Sequence, residues 1–227
     1  LLPKFVDDME MKMEYFDHCF IEGDTLETSD VVNGGAELFL YQSGYLTIKG
    51  YDDGVYILGF PNFEVRKALY RVVVPALTMK SNSEVVSAQS FLRKMMQDGN
   101  TAEAKKALKA LIADVPYSNK KMASMDMEER YRLIMSTIFR ALGFRVEVER
   151  MLATGRIDMI VEVPSIIYVL ELKLSNNGGI SAAESQIKEK SYTEPFKADK
   201  RKVIALAVEL DETGKGLIDW KEVDESL

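Results

Sequence analysis

Arg156-Ile-Asp-Met-Ile-Val-Glu-Val-Pro-Ser-Ile-Ile-Tyr-Val-Leu-Glu-Leu-Lys173 is the stretch whose reading decides the fold. Two β-branched, alternating runs flank Pro164-Ser165, the pattern of an antiparallel hairpin. A loop symmetric about that dipeptide pairs Val163 with Ile166, sets Asp158 opposite Glu171 and turns Arg156 toward Lys173. One face of the ribbon (Ile157, Met159, Val161 and Val163 against Ile166, Tyr168, Leu170 and Leu172) is wholly apolar and belongs in a core. The other face gathers Asp158, Glu171 and Lys173 at one end, beside Ile160 and Val169. Directly opposed Cβ atoms lie about 4.5 to 5.5 Å apart, where like charges repel. Two facing carboxylates on a largely buried sheet need a compensating cation, and a hard divalent metal with oxygen ligands suits them. Proline does not take the positive φ of a tight type I′ turn, so a longer loop is expected. A symmetric loop keeps this register and a one-residue bulge separates the carboxylates. The plainer alternative is an edge ribbon with a solvated Glu-Leu-Lys end.

Asp158, twelve intervening residues and then Glu171-Leu-Lys173 resembles the signature of the PD-(D/E)XK nuclease superfamily, with Ile157 where the motif has proline. Gly155-Arg-Ile-Asp158, Leu170-Glu-Leu-Lys173, Gln186-Ile-Lys-Glu-Lys-Ser-Tyr192 and Tyr45-Leu-Thr-Ile-Lys-Gly50 together are similar to one bacterial group, in which such a domain follows an ATPase-like domain of the AAA type. The resemblance covers the chain from about residue 37 onward. It implies an α/β (α+β) protein with a restriction-endonuclease-like core, in the order helix, three strands, helix, strand, after a winged-helix-like and helical N-terminal part. The implied divisions are residues 1–78, the tail of an ATPase-like domain with a winged-helix-like subdomain; 79–118, a helical bridge; and 119–227, the nuclease-like domain.

The resemblance also implies a site. Asp158, Glu171 and the backbone carbonyl of Leu172 would hold Mg2+ or Mn2+, and Lys173, about 6.6 Å along the strand from Glu171, would orient or deprotonate the attacking water. A carboxylate on the first helix of the core points at the same metal in this superfamily. Glu129 takes that place, with Glu128 next to it as the second choice, though Glu129 also stands three residues after Asp126 as a capping partner. Arg132 stands where the related group often has histidine. Gln186 matches a helical glutamine that holds a phosphate oxygen or the lysine, and Tyr192 stacks or hydrogen-bonds near the same opening. Arg156 contacts a phosphate or bridges to Glu171. The implied substrate is nucleic acid, DNA in the first place, and the missing ATPase-like domain is the implied partner. A non-catalytic interaction module serving that ATPase is the alternative.

Composition narrows the field. At 227 residues the chain can bury a substantial core. No apolar run approaches a membrane span and no signal-peptide pattern opens the chain. Its single cysteine, Cys19, excludes an internal disulfide framework and fits a reducing cytoplasm. Cys19 and the lone His18 are too few for a zinc site and read as packing residues. A leading Leu1 in place of methionine points to a piece of something longer. The formal net charge of −7 argues against coating nucleic acid by bulk charge. Lys188, Lys190, Lys197, Lys200, Arg201 and Lys202 are interleaved with Glu184, Glu189, Glu194 and Asp199, the mixture of a solvated face.

The remaining elements follow from caps and periodicity. No Gly-x-x-x-x-Gly-Lys-Ser/Thr occurs, so the chain carries no phosphate-binding loop of that kind, and Asn33-Gly34-Gly35 reads as a turn. Residues 36–42 read as a short helix, 45–49 and 55–60 as a hairpin, and Pro61 opens a helix that Pro75 closes or kinks. Two helices split at Asp98-Gly-Asn-Thr101, and Thr101 with Glu103 is the expected cap. Val115-Pro-Tyr-Ser-Asn119 reads as a break. From Asp126 a helix runs to a stop at Gly143, followed by a strand and the central hairpin. Ser181 with Glu184 reads as a capping box for a helix reaching Tyr192. Residues 203–208 read as a buried strand, and Trp220 with the acidic tail as a cover for the sheet.

Overall fold

The computed structural model describes residues 13–27, 34–78, 80–113 and 125–224, so the break expected at 115–119 lies outside the described residues. Strand β1 (Cys19–Glu22) and helix α1 (Gly23–Glu27) come first, then α2 (Gly35–Gln42). The hairpin β2 (Thr47–Asp52) and β3 (Val55–Gly59) turns through Asp53 and Gly54, both at positive φ, and β1 adds to the free edge of β3. Cys19 is buried against this sheet and His18 is exposed. Helix α3 (Phe63–Thr78) follows. Asn62 caps it by accepting from the Val65 N–H at 3.0 Å, and the helix continues past Pro75 to Thr78.

Helices α4 (Asn82–Asp98) and α5 (Thr101–Ile112) split where expected, but their caps differ. Ser81 and Glu84 form a capping box for α4. Asn100, one residue before the expected Thr101, caps α5 by accepting from the Glu103 N–H at 3.2 Å. Helix α6 (Met127–Ala141) starts on Asp126, whose carboxylate accepts from the Glu128 N–H, and stops at Gly143, where φ is 84°. That left-handed value costs glycine nothing, which makes it a helix stop.

Five strands complete the chain: β4 (Arg145–Met151), β5 (Arg156–Glu162), β6 (Ile166–Leu174), β7 (Lys202–Leu210) and β8 (Leu217–Val223), in that order across the sheet. β6 and β7 are parallel, joined by helix α7 (Gly179–Lys190), and the other pairs are antiparallel. Two readings are corrected here. The segment around Trp220 is a fifth strand rather than a terminal cover, with Trp220 opposite Val208. Ser181 and Glu184 form no capping box: α7 begins two residues earlier, after Gly178, and the Ile180 N–H donates to Glu209 at 3.3 Å.

The central hairpin has the symmetric register. Val163 donates to the Ile166 carbonyl at 2.9 Å, and Val161 lies opposite Tyr168 and Met159 opposite Leu170. The longer loop expected here is corrected: the Val163–Ile166 hydrogen bond closes the turn over two residues, and neither Pro164 nor Ser165 takes the positive φ of I′ geometry. The apolar face from Met159 to Leu172 is buried in the larger of two core clusters. Ile157 departs from it and packs under α7 with Ile160 and Val169. Its strand has left the β5–β6 ladder, which ends at Met159, so the alternation is no longer enforced there.

That larger cluster is continuous. It holds Leu58 of the first sheet, Leu40, Val73, Leu92 and Leu108 of the helices, and Tyr168 and Leu206 of the second sheet, so it spans the divisions expected at 78 and 118. Polar ties reinforce it. Tyr168 donates to the Met96 carbonyl at 2.6 Å, and the Trp220 indole to the Thr101 carbonyl at 2.9 Å. Tyr131 on α6 donates to the Asp211 carbonyl at 3.0 Å and accepts from the Gly216 N–H at 2.8 Å, fixing the β7–β8 turn. Tyr131→Phe leaves both turn groups without that partner and should cost about 1 to 3 kcal/mol. Urea unfolding of the two proteins checks this, and an unchanged midpoint contradicts it.

Candidate active site

Past Met159 and Leu170 the two central strands no longer exchange ladder hydrogen bonds. Asp158 fills the gap: its Oδ2 accepts from the Leu172 N–H at 2.9 Å, in place of a ladder partner. The backbone N–H and C=O of one strand residue project to the same side, so the Leu172 carbonyl also faces this gap. Lys173 Nζ donates to that carbonyl at 3.3 Å and to Glu171 Oε1 at 2.6 Å. Asp158, Glu171, Leu172 and Lys173 therefore meet at one end of the hairpin. Asp158 is 3% exposed and Glu171 is not exposed at all.

Burial, and then the adjacent Asp158 charge, push the Glu171 carboxyl up to about 8. Burial works against the Lys173 charge, but the hydrogen bond and charge of Glu171, with Asp158 and Glu128 behind them, hold the ammonium above its ordinary value. One oxygen of Glu171, Oε2, is buried and has no hydrogen-bond partner. A buried carboxylate oxygen without a donor, beside a second carboxylate, suits coordination to a cation. Among the described residues no three His, Cys, Asp or Glu side chains form a ready cluster. A metal held here would draw on two carboxylates, the Leu172 carbonyl and water.

The helix carboxylate that faces this cluster is Glu128, not the expected Glu129. Burial and then the Asp158 charge raise the Glu128 carboxyl, with Lys173 and Arg132 acting against them. Glu129, half-buried on the same turn, makes no hydrogen bond or ion pair with a described residue. The reason is helix phase. With Asp126 as the cap, Glu128 and Arg132 stand four residues apart on the stripe facing Asp158. Arg132 Nη1 lies 3.7 Å from Asp158 Oδ1 and 3.0 Å from Glu149 Oε1.

Glu149 went unnoticed in the sequence. It sits in β4 opposite Asp158, between the pairs Val148–Met159 and Arg150–Ile157, with φ at 54°. A left-handed glutamate in a strand is uncommon and cannot be read from an alternating run. The same Glu149 oxygen accepts from Arg156 at 2.9 Å, so Arg156 bridges to Glu149 rather than to Glu171.

Gln186 and Tyr192 close the other side. The Gln186 amide donates to the Tyr192 hydroxyl at 2.9 Å, which donates to the Arg156 carbonyl at 2.7 Å. Burial first, with the charges of Glu171 and Asp158 contributing, raises the Tyr192 phenol. The Tyr192 ring is wholly buried under α7, so it hydrogen-bonds at the site and has no free face for stacking. Half of the basic cluster after Gln186 is paired: Lys188 with Glu184, Lys197 with Glu194, and Arg201 with Asp199 and Glu162.

A carboxyl raised by folding stabilises the protein fully below its ordinary pKa, and that contribution is lost as pH rises through the folded value. Metal-free protein should therefore lose stability between about pH 4.5 and pH 8 through Glu171. Glu171→Gln should flatten that slope. Thermal melts in EDTA across this range decide the matter, and equal slopes in both proteins remove Glu171 as the cause.

Residues 126–220 match a family model described as PD-(D/E)XK nuclease superfamily. Among curated proteins the chain is similar to an "Uncharacterized protein in vnfD 5'region" of Azotobacter chroococcum mcd 1, 26% identical over 216 residues. The alignment takes in 89% of this chain and 40% of that protein, so the chain spans about 40% of the length of the curated relative it matches. No solved structure matches the chain. Among the described residues no helix is long and apolar enough to cross a membrane. Residues 126–220 carry a PD-(D/E)XK nuclease superfamily domain.

Proposed function

We propose that the protein is a metal-dependent nuclease that hydrolyses phosphodiester bonds of nucleic acid, DNA in the first place. The observation that carries this reading is the buried Asp158–Glu171 pair, with an unpartnered Glu171 oxygen and Lys173 held 2.6 Å from the other. Asp158, Glu171 and the Leu172 carbonyl would hold Mg2+ or Mn2+, with Glu128 taking the outer place first expected of Glu129. When bound, the cation neutralises the scissile phosphate and lowers the pKa of a coordinated water.

The chain's own groups supply the rest. Lys173 orients the attacking water and offsets charge that develops on the phosphate. Arg132 and Arg156, arranged around Glu149, offer guanidinium donors to a neighbouring phosphate oxygen. Gln186 is positioned by the buried Tyr192 hydroxyl and presents its amide at the same opening.

The wider setting belongs to the same proposal. Residues 1–78 are read as the tail of an ATPase-like domain with a winged-helix-like subdomain, 79–118 as a helical bridge and 119–227 as the nuclease-like domain. The helix, hairpin, helix order of α2, β2, β3 and α3 and the match over 126–220 support this division. An ATPase-like domain that delivers DNA in the cytoplasm is the partner this arrangement implies.

Nicking of supercoiled DNA with Mg2+ or Mn2+ should be abolished by EDTA and reduced about 100-fold or more by Asp158→Ala and by Lys173→Ala. Glu128→Gln should cost more activity than Glu129→Gln. Folded protein that binds no metal and cuts nothing, even beside its ATPase-like domain, would instead be a nuclease-fold interaction module. Cutting that persists unchanged in both alanine variants would come from a contaminant and count against the enzyme.

A further inference from the structure

The basic residues of this acidic chain are not evenly spread. Two cavities flank helix α3 where it meets the C-terminal end of α6. One, of about 340 Å³, is lined by Arg66, Lys67, Arg140 and Arg145 with Phe63, Tyr70, Phe144 and Val146. The other, of about 750 Å³, takes in Arg71 and Arg93 with Asn82, Gln89 and Ser90 over an apolar floor. Six basic side chains and no carboxylate line the two, against a net charge of −7 for the whole chain.

Nearby acids only partly offset this charge. Asp17 pairs with Arg66 at 2.8 Å, and Glu162 stands 3.6 Å from Arg145. Lys67 and Arg93 make no ion pair with a described residue. Gln89 is 7% exposed, yet its amide nitrogen has no hydrogen-bond partner, and neither has the buried Arg93 Nε. Buried donors without acceptors cost about 1 to 3 kcal/mol each, and both of these stand in the wall of the larger cavity. Phe63, 52% exposed, offers an aromatic face at the mouth of the smaller one. Basic groups along a groove with an exposed aromatic are the chemistry of a nucleic-acid backbone site.

The location is distinct from the carboxylate cluster. The cluster lies at the Glu128 end of α6 and the cavities at its Ala141 end, and the helix has 15 residues, about 22 Å. That equals roughly six nucleotides of duplex rise. We propose that the two cavities beside α3, at the end of α6, form one basic face that binds the phosphate backbone of a nucleic-acid strand away from the point of cleavage. This rests on the nuclease reading and adds to it an anchoring site on α3, outside the family-matched residues. The anchor compensates for a surface whose overall charge repels the substrate.

The test is fluorescence anisotropy in EDTA, where no cleavage occurs, using a labelled 20-nucleotide single strand and its duplex. Lys67→Glu with Arg71→Glu should weaken binding of at least one probe tenfold or more. For the single strand, log affinity against log salt should flatten by about 1.4, two phosphate contacts at about 0.7 each. The equal charge change Lys188→Glu with Lys190→Glu should weaken binding less than threefold. If the double glutamate variant does not fold, Lys67→Gln with Arg71→Gln gives the same test with a loss of threefold or more. Binding of both probes unchanged by the Lys67 and Arg71 variants, or lost equally in the lysine-pair control, overturns the proposal. Displacement of the probes by a polyglutamate peptide at matching concentration also overturns it, in favour of an acidic protein partner. Intact binding in EDTA, with no cleavage when Mg2+ or Mn2+ is supplied, would count against the nuclease reading alone.

Discussion

The buried hydrogen bond from the Leu172 N–H to Asp158 is the constraint on which the site depends. A sheet pairs its backbone groups in a ladder, and a ladder leaves no room for side chains between strands. Here the ladder stops at Met159 and Leu170, and a carboxylate takes over the pairing. The substitution satisfies one donor, frees the Leu172 carbonyl for Lys173, and brings the Asp158 charge to Glu171. The same opening releases Ile157 from the main core face and sends it under α7. A loss of strand pairing therefore creates the site.

Charge is arranged around that opening in two shells. Inside, Lys173 pairs with Glu171 beside the Asp158 carboxylate, and the imbalance shows in the raised Glu171 carboxyl and its unpaired oxygen. Outside, Glu149 collects Arg132 and Arg156, and Arg132 also reaches toward Asp158. Buried charges are tolerated when paired, so the inner pair is the strained member and the outer group the satisfied one. The carboxylate pair and the guanidinium group are thus separated within a single strand end.

Much of this was legible because it depends on counting. The symmetric turn at Pro164-Ser165 sets the hairpin register, and the register sets the faces of Asp158 and Glu171. What was not legible depends on phase or on backbone conformation. One residue of helix phase, set by the Asp126 cap, separates Glu128 from Glu129. Glu149 is ordinary in sequence and unusual only in φ. The strand at Leu217–Val223 was missed because its buried positions recur every third residue, where a strand is expected to alternate. The capping box expected at Ser181 failed for a related reason: Gly178 starts the helix, and a glutamate from the next strand meets its first N–H groups.

The undivided core has a consequence for how such proteins can be taken apart or recombined. The nuclease-like sheet is covered on one face by α7 from within its own sequence, but on the other by α6 together with helices that precede it. Tyr168 leans on the end of α4, and Trp220 on the start of α5. A fragment cut at residue 126 would lay bare that second apolar face, so the smallest unit that folds is longer than the stretch bearing the family resemblance. To be moved intact, this sheet would have to carry α4 and α5 with it as its cover.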